Sequence, residues 1–146
     1  MIEQKPLVIR EASPSDAEAI AALLTEEGYP AGTSDIVGRL ERFSPELASV
    51  TVALVDGEVL GFVAVHLLPR LEHDEPIARV LALAVEPDAR ERGVGHRLME
   101  AAEALAAEAG AAFIEVTAGH HRPDARRLYE SLGYDASVTA YLRKRL

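Results

Sequence analysis

Leu81-Ala82-Leu83-Ala84-Val85-Glu86-Pro87, followed two residues later by Arg90-Glu91-Arg92-Gly93-Val94-Gly95, is the stretch on which the reading of this chain turns. The almost wholly apolar run from Ala78 to Val85 is what a strand buried on both faces requires, and Pro87 ends it. From Gly93 to Ala109, Val94, Leu98, Ala101, Ala102 and Leu105 recur at helical spacing, with Gly110 as terminator. The stretch is therefore a strand, a short turn and a glycine-punctuated entry to a long helix. The first turn of a helix leaves backbone N–H groups without partners and carries partial positive charge. Glycines let an anion approach that backbone closely, and Arg90, Arg92 and Arg97 supply further positive charge. On spacing alone, Gly93 and Gly95 fit both a phosphate cradle and a plain helix start. The pattern is not a Walker loop, which ends in Gly-Lys-Ser/Thr, nor a dinucleotide fingerprint, whose third glycine is missing.

Working outward, Leu7 to Arg10 reads as a short strand, and Ser13-Pro14-Ser15-Asp16 supplies a helix start with an acid three residues after the cap. Ala17, Ile20, Ala21 and Leu24 continue that helix until Gly28 and Pro30 stop it. A second short helix is expected from Thr33 or Ser34 to about Phe43. Ala48 to Val55 and Val59 to Leu68 flank Asp56-Gly57, a strong hairpin signal. Downstream, Ala112 to Thr117 reads as a strand, Pro123 to Ser131 as a helix closed by Gly133, and Val138 to Arg145 as a last strand. No repeat or linker interrupts this order, so residues 1–146 are expected to form one α/β domain.

Hydrophobic residues make up 49% and charged residues 27%, the balance of an ordinary globular chain. A formal charge of −9, from 24 acidic and 15 basic residues, argues against a nucleic-acid partner, which needs a basic face. The absence of cysteine removes disulfides, thiolate metal sites and a cysteine nucleophile. The N-terminal residues lack the basic-then-apolar pattern of a signal peptide, and no apolar run approaches a bilayer span. The expected location is therefore cytoplasmic, with no membrane partner.

Two motifs now resemble a known family. Leu83-x-Val85-x-Pro87 followed by Arg90-x-x-Gly93-x-Gly95 is similar to the acetyl-coenzyme A signature of the GNAT N-acetyltransferases. Ala125-Arg126-Arg127-Leu128-Tyr129-Glu130-Ser131-Leu132-Gly133-Tyr134 resembles that family's Ala-x-x-Phe/Leu-Tyr-Glu-x-Leu-Gly-Phe/Tyr segment. The resemblance implies an α/β fold with a mixed, mostly antiparallel sheet of six or seven strands, splayed at the centre and flanked by about four helices. Pantetheine would lie in the gap beside Leu83, Ala84 and Val85, bonding the strand backbone as an added strand would. The diphosphate would sit on N–H groups from Arg92 through Gly93, Val94 and Gly95 to His96, with Arg90 at the head of the loop. The donor implied is acetyl-coenzyme A, with no metal. The acceptor implied is a primary amine of a small molecule or peptide attacking directly, and a homodimer is compatible with it. A non-catalytic acyl-coenzyme A sensor or partner-binding module is the alternative.

The resemblance also assigns roles. Tyr129 stands where the family places the acid that protonates the leaving sulfur, although an aromatic beside Leu128 also suits a core position. The glutamate that many members carry before the Leu-x-Val is missing, since Leu81 and Ala82 occupy those positions. His120 and His121 are candidate bases, with Glu26, Glu27 and His66 behind them. Arg122 replaces a common asparagine, and Asp124 suits a helix cap. Glu26, Glu27, Tyr29 and Asp35 would give an acidic acceptor wall, to which the Arg70 to Glu75 loop adds.

Overall fold

The computed structural model describes residues 5–118 and 122–146, with only the backbone of Glu91. In chain order the elements are β1 (Val8–Glu11), α1 (Ala17–Glu26), α2 (Thr33–Leu40), β2 (Ala48–Val55), β3 (Glu58–Leu68), β4 (Ile77–Val85), α3 (Val94–Glu108), β5 (Ile114–Val116) and α4 (Pro123–Ser131). Short 3-10 turns, Pro14–Asp16 and Pro87–Arg92, lead into α1 and α3. The sheet runs β1-β2-β3-β4-β5, antiparallel throughout except for the parallel pair β4 and β5.

Local chemistry explains the element boundaries. Asp56 and Gly57 both adopt positive φ, 52° and 76°, the twist that a two-residue hairpin needs between β2 and β3. At the entry to α1 the Asp16 carboxylate accepts the Ser13 N–H at 2.8 Å and both Arg10 N–H prongs at 2.8 and 3.0 Å. Asp16 is buried, and the Arg10 guanidinium holds its carboxyl below the usual carboxylate range. The acid expected to cap the first helix thus also ties that helix to β1.

The helices divide between the two faces of the sheet. Ile20, Leu23 and Ile36 of α1 and α2 pack on Val52, Phe62 and Ala84. Leu98, Met99 and Ala102 of α3 pack on Val63, Val80 and Val85, with Tyr129 of α4 joining them. The apolar run of β4 serves both faces, as its composition requires. It does so through a bulge. Val80 pairs with Val65 and Ala82 with Ala64, which leaves Leu81 without a partner on β3. Before the bulge Ala78 and Val80 face α3; after it, Leu83 and Val85 do. An extra residue shifts the alternation by one and bends the strand. Leu81 itself is 59% exposed.

The sheet corrects one expectation. Among the described residues there are five strands rather than six or seven, and four α-helices. The expected last strand, Val138 to Arg145, does not form: Val138 is 75% and Leu142 89% exposed. A strand exists only through a neighbouring ladder, and β5, at the open edge, is three residues long. The segment also ends in the solvated run Arg143-Lys144-Arg145. Among the described residues no helix is long and apolar enough to cross a membrane.

Candidate functional site

The site begins where β4 and β5 part. Their pairing covers only Ala78 to Val80 against Ile114 to Val116. Among the described residues, β4 beyond the Leu81 bulge is paired on its β3 side alone, so the backbone edge from Leu81 to Val85 has no strand beside it there. Such an edge presents N–H and C=O groups to an extended ligand. Leu83, Ala84 and Val85 lie along it, with Ala84 and Val85 buried beneath the two helical layers.

The next element extends that edge. Pro87–Arg92 forms a 3-10 turn, and Gly93 follows with φ 76°, a left-handed conformation that costs other residues about 1 kcal/mol. Among the described residues no side chain caps α3, and no acid occupies its first turn. The first helical closure is Arg97 N–H to Gly93 O at 3.1 Å. The amides of Val94, Gly95 and His96 therefore have no acceptor within the helix. The two glycines do different work. Gly93 supplies the turn, whereas Gly95 allows close packing: a Cβ there would stand 3.1 Å from Leu128 and 3.8 Å from Val85. Val94 is buried beneath the loop, and His96 is exposed, its Nδ1 3.8 Å from Glu100.

The arginines divide as well. Arg92 and Arg97 are exposed around the open helix end. Arg90 instead turns back: its Nε donates to Val85 O at 3.3 Å and its Nη2 to Glu27 Oε1 at 3.0 Å. Arg122 makes a second ion pair with the same carboxylate. The Glu27 side chain is only 8% exposed, although it lies at the end of α1. Sixty-three residues separate Glu27 from Arg90, and no local spacing signals their pairing.

Tyr129 is 8% exposed and lies against Tyr134, ring centres 6.0 Å apart. Burial pushes its hydroxyl above the usual tyrosine value; Arg122 pulls it down and Glu27 pushes it up. Tyr134 donates to Glu103 at 2.9 Å, pinning the end of α4 to α3.

The other sequence candidates separate from this cluster. His120 and His121 lie outside the described residues. His66 sits on β3 against the Phe43 ring, centres 4.9 Å apart, opposite Arg79. Glu26 and Tyr29 are exposed. Asp35 accepts the Gly32 N–H at 2.9 Å and serves as a cap of α2. Asp124 pairs with Arg127 on the surface of α4. Of the acids that the resemblance placed on an acceptor wall, Glu26 is exposed, Asp35 caps α2 and Glu27 carries two cations. Among the described residues no cluster of three or more His, Asp or Glu side chains is arranged to hold a metal ion.

Comparison with known proteins matches residues 17–134 to the acetyltransferase (GNAT) family. An uncharacterized N-acetyltransferase, YhfO, of Bacillus subtilis is 33% identical, the match covering 87% of this chain and 89% of the relative. The aminoalkylphosphonate N-acetyltransferase of Salmonella typhimurium is 31% identical over 88% of this chain and 85% of its own. A crystal structure of a transcriptional regulator from Bacillus halodurans superposes with a TM-score of 0.87 at 26% identity, over 97% of this chain and all of that one. Two curated N-acetyltransferases over nearly the whole chain do not favour a non-catalytic sensor. The open β4 edge and uncapped α3 thus lie within a match that spans both motifs, and the chain belongs to the GNAT acetyltransferases, enzymes that move an acetyl group from acetyl-coenzyme A to an amine.

Proposed function

We propose that this enzyme acetylates a primary amine of a small molecule or peptide by direct attack, with Tyr129 as the acid for the departing sulfur. The observation that carries the reading is the continuity of the open β4 edge with the uncapped N-terminus of α3. An extended amide chain followed by a diphosphate fits those two features in that order. Leu83, Ala84 and Val85 line the edge. Gly93, Val94, Gly95 and His96 present backbone amides, and Arg92 adds charge. Arg90 acts from behind, anchoring the loop to Val85 O.

Acetyl-coenzyme A supplies an activated acetyl group and a thiolate leaving group. As the amine nitrogen bonds the acetyl carbon, the carbon–sulfur bond breaks and its electron pair stays on sulfur. Tyr129 gives its hydroxyl proton to that sulfur and regains one from the proton the amine releases. A tyrosine hydroxyl carries its proton at neutral pH, which supports this role. A small acceptor is in keeping with the aminoalkylphosphonate named for the Salmonella relative.

The test is thiol release from acetyl-coenzyme A with a panel of amines, beside calorimetric binding of coenzyme A. Turnover on some amine, reduced about a hundredfold or more in Tyr129→Phe with coenzyme A still bound, is expected. Full activity of Tyr129→Phe would remove the acid role, and absence of coenzyme A binding would remove the whole reading.

A further inference from the structure

We propose that Glu27 and Arg122 are positioning residues for acetyl transfer, an ion pair that crosses the open end of the β4–β5 gap and holds a guanidinium charge beside Tyr129. The inference rests on the reading of Tyr129 as the acid.

The crossing follows from the layers. Glu27 belongs to the end of α1, which packs on one face of the sheet, and Arg122 immediately precedes α4, which packs on the other. Their ion pair must therefore pass the sheet. Arg90 shows where. It holds the same Glu27 carboxylate while bonded to Val85 O, at the end of β4 where β5 no longer flanks it. Arg122 is the N-cap residue of α4, the helix that carries Tyr129, and its guanidinium lies close enough to act on the Tyr129 hydroxyl.

The geometry has an electrostatic consequence. A tyrosine that yields its proton becomes an anion, and a buried anion is costly without a nearby cation. Burial opposes the ionisation of Tyr129, and Arg122 is the cation that offsets it. Glu27 by itself acts in the opposite direction. Its use is geometric: with an 8% exposed carboxylate anchored by Arg90, it fixes the guanidinium of Arg122, a long side chain otherwise able to swing into solvent. As the carbon–sulfur bond breaks and the Tyr129 proton moves to sulfur, the charge left on the phenolic oxygen faces Arg122 until the proton from the amine replaces it. The arrangement also places a cation where the motif commonly has a neutral asparagine.

Steady-state kinetics and calorimetric coenzyme A binding, run on Arg122→Met, Arg122→Lys, Glu27→Gln and Tyr129→Phe, test this. Arg122→Met is expected to lower kcat by about tenfold, the equivalent of one pKa unit on the acid, with coenzyme A affinity within about twofold. Arg122→Lys, which keeps the charge, restores most of the loss, and Glu27→Gln lowers kcat in the same direction. The proposal is overturned if Arg122→Met keeps the wild-type kcat, if its coenzyme A affinity falls in step with kcat, or if Arg122→Lys is as impaired as Arg122→Met. A fully active Tyr129→Phe removes the acid reading itself. A crippled Tyr129→Phe beside unaffected Arg122 variants removes only the positioning role.

Discussion

Gly95, in the first turn of α3, lies so close to Leu128 of α4 that a Cβ at position 95 would stand 3.1 Å from the Leu128 Cδ2 methyl. The turn that presents its amides to the β4 edge is therefore seated directly on the helix that carries Tyr129. The neighbour is the tip of a flexible side chain, so a single methyl is accommodated by a small shift. Gly95→Ala is expected to change stability by less than about 1 kcal/mol, because better helix propensity offsets the crowding. Gly95→Val, which adds more bulk beside Leu128, is expected to cost about 2 kcal/mol and to weaken coenzyme A binding. Urea denaturation and calorimetry on the two variants check this; equal behaviour of Ala and Val would show that the contact is slack.

Gly61 is a harder case. A Cβ on this β3 residue would meet the Ala84 carbonyl oxygen at 2.9 Å and Leu98 Cδ1 at 3.0 Å. A backbone oxygen cannot swing aside, and Ala84 lies on the edge assigned to pantetheine. Gly61→Ala is expected to lose about 2 kcal/mol in urea unfolding and to weaken coenzyme A binding through displacement of β4. Unchanged binding with reduced stability would separate the strand's position from the site.

The Arg10–Asp16 contact makes a pH prediction. Arg10 holds the Asp16 carboxyl below its ordinary value of 3.8, so the folded state binds that proton less well than the unfolded chain. The resulting stabilisation is present above the unfolded value and is lost as pH falls through the lower folded one. Asp16→Asn is expected to cost about 2 kcal/mol at pH 7, the scale of a hydrogen bond to a charged group. At pH 2 the gap between variant and wild type should narrow. Urea midpoints at the two pH values measure it, and a gap that is constant between them would refute the linkage.

Tyr134 titrates in the opposite sense. Burial, helped by the Glu103 carboxylate that accepts its proton, raises its hydroxyl above the ordinary value. Its contribution is therefore present below the unfolded tyrosine value and is lost only as pH rises through the higher folded one. Tyr134→Phe is expected to lose about 1 kcal/mol, the same at pH 7 and pH 9, in thermal or urea unfolding.

Much of this was legible in the chain itself. The two-residue hairpin at Asp56-Gly57, the Ser13 to Asp16 helix start and the helix beginning at Val94 rest on backbone preferences of neighbouring residues, and these act over a few positions. The turn into α3 was readable for the same reason: a left-handed glycine opening a helix is a local feature. The apolar run of β4 announced a strand covered on two faces. What the run did not announce is the bulge at Leu81, which depends on how β3 pairs with it.

The sequence by itself determined most of the elements and their order, because propensity, periodicity and capping are short-range. Only the tertiary structure decided the sheet's extent and the distribution of charge. The segment from Val138 to Arg145 has residues that a strand accepts, yet strand formation needs a neighbour, and β5 offers three residues. Arg90 sits in the loop read as a diphosphate site, and its pairing with Glu27 comes from the fold. That carboxylate, one among 24 acids, gained its partners from sites far along the chain. Ion pairing across a sheet is set by where helices land, and no local pattern encodes it.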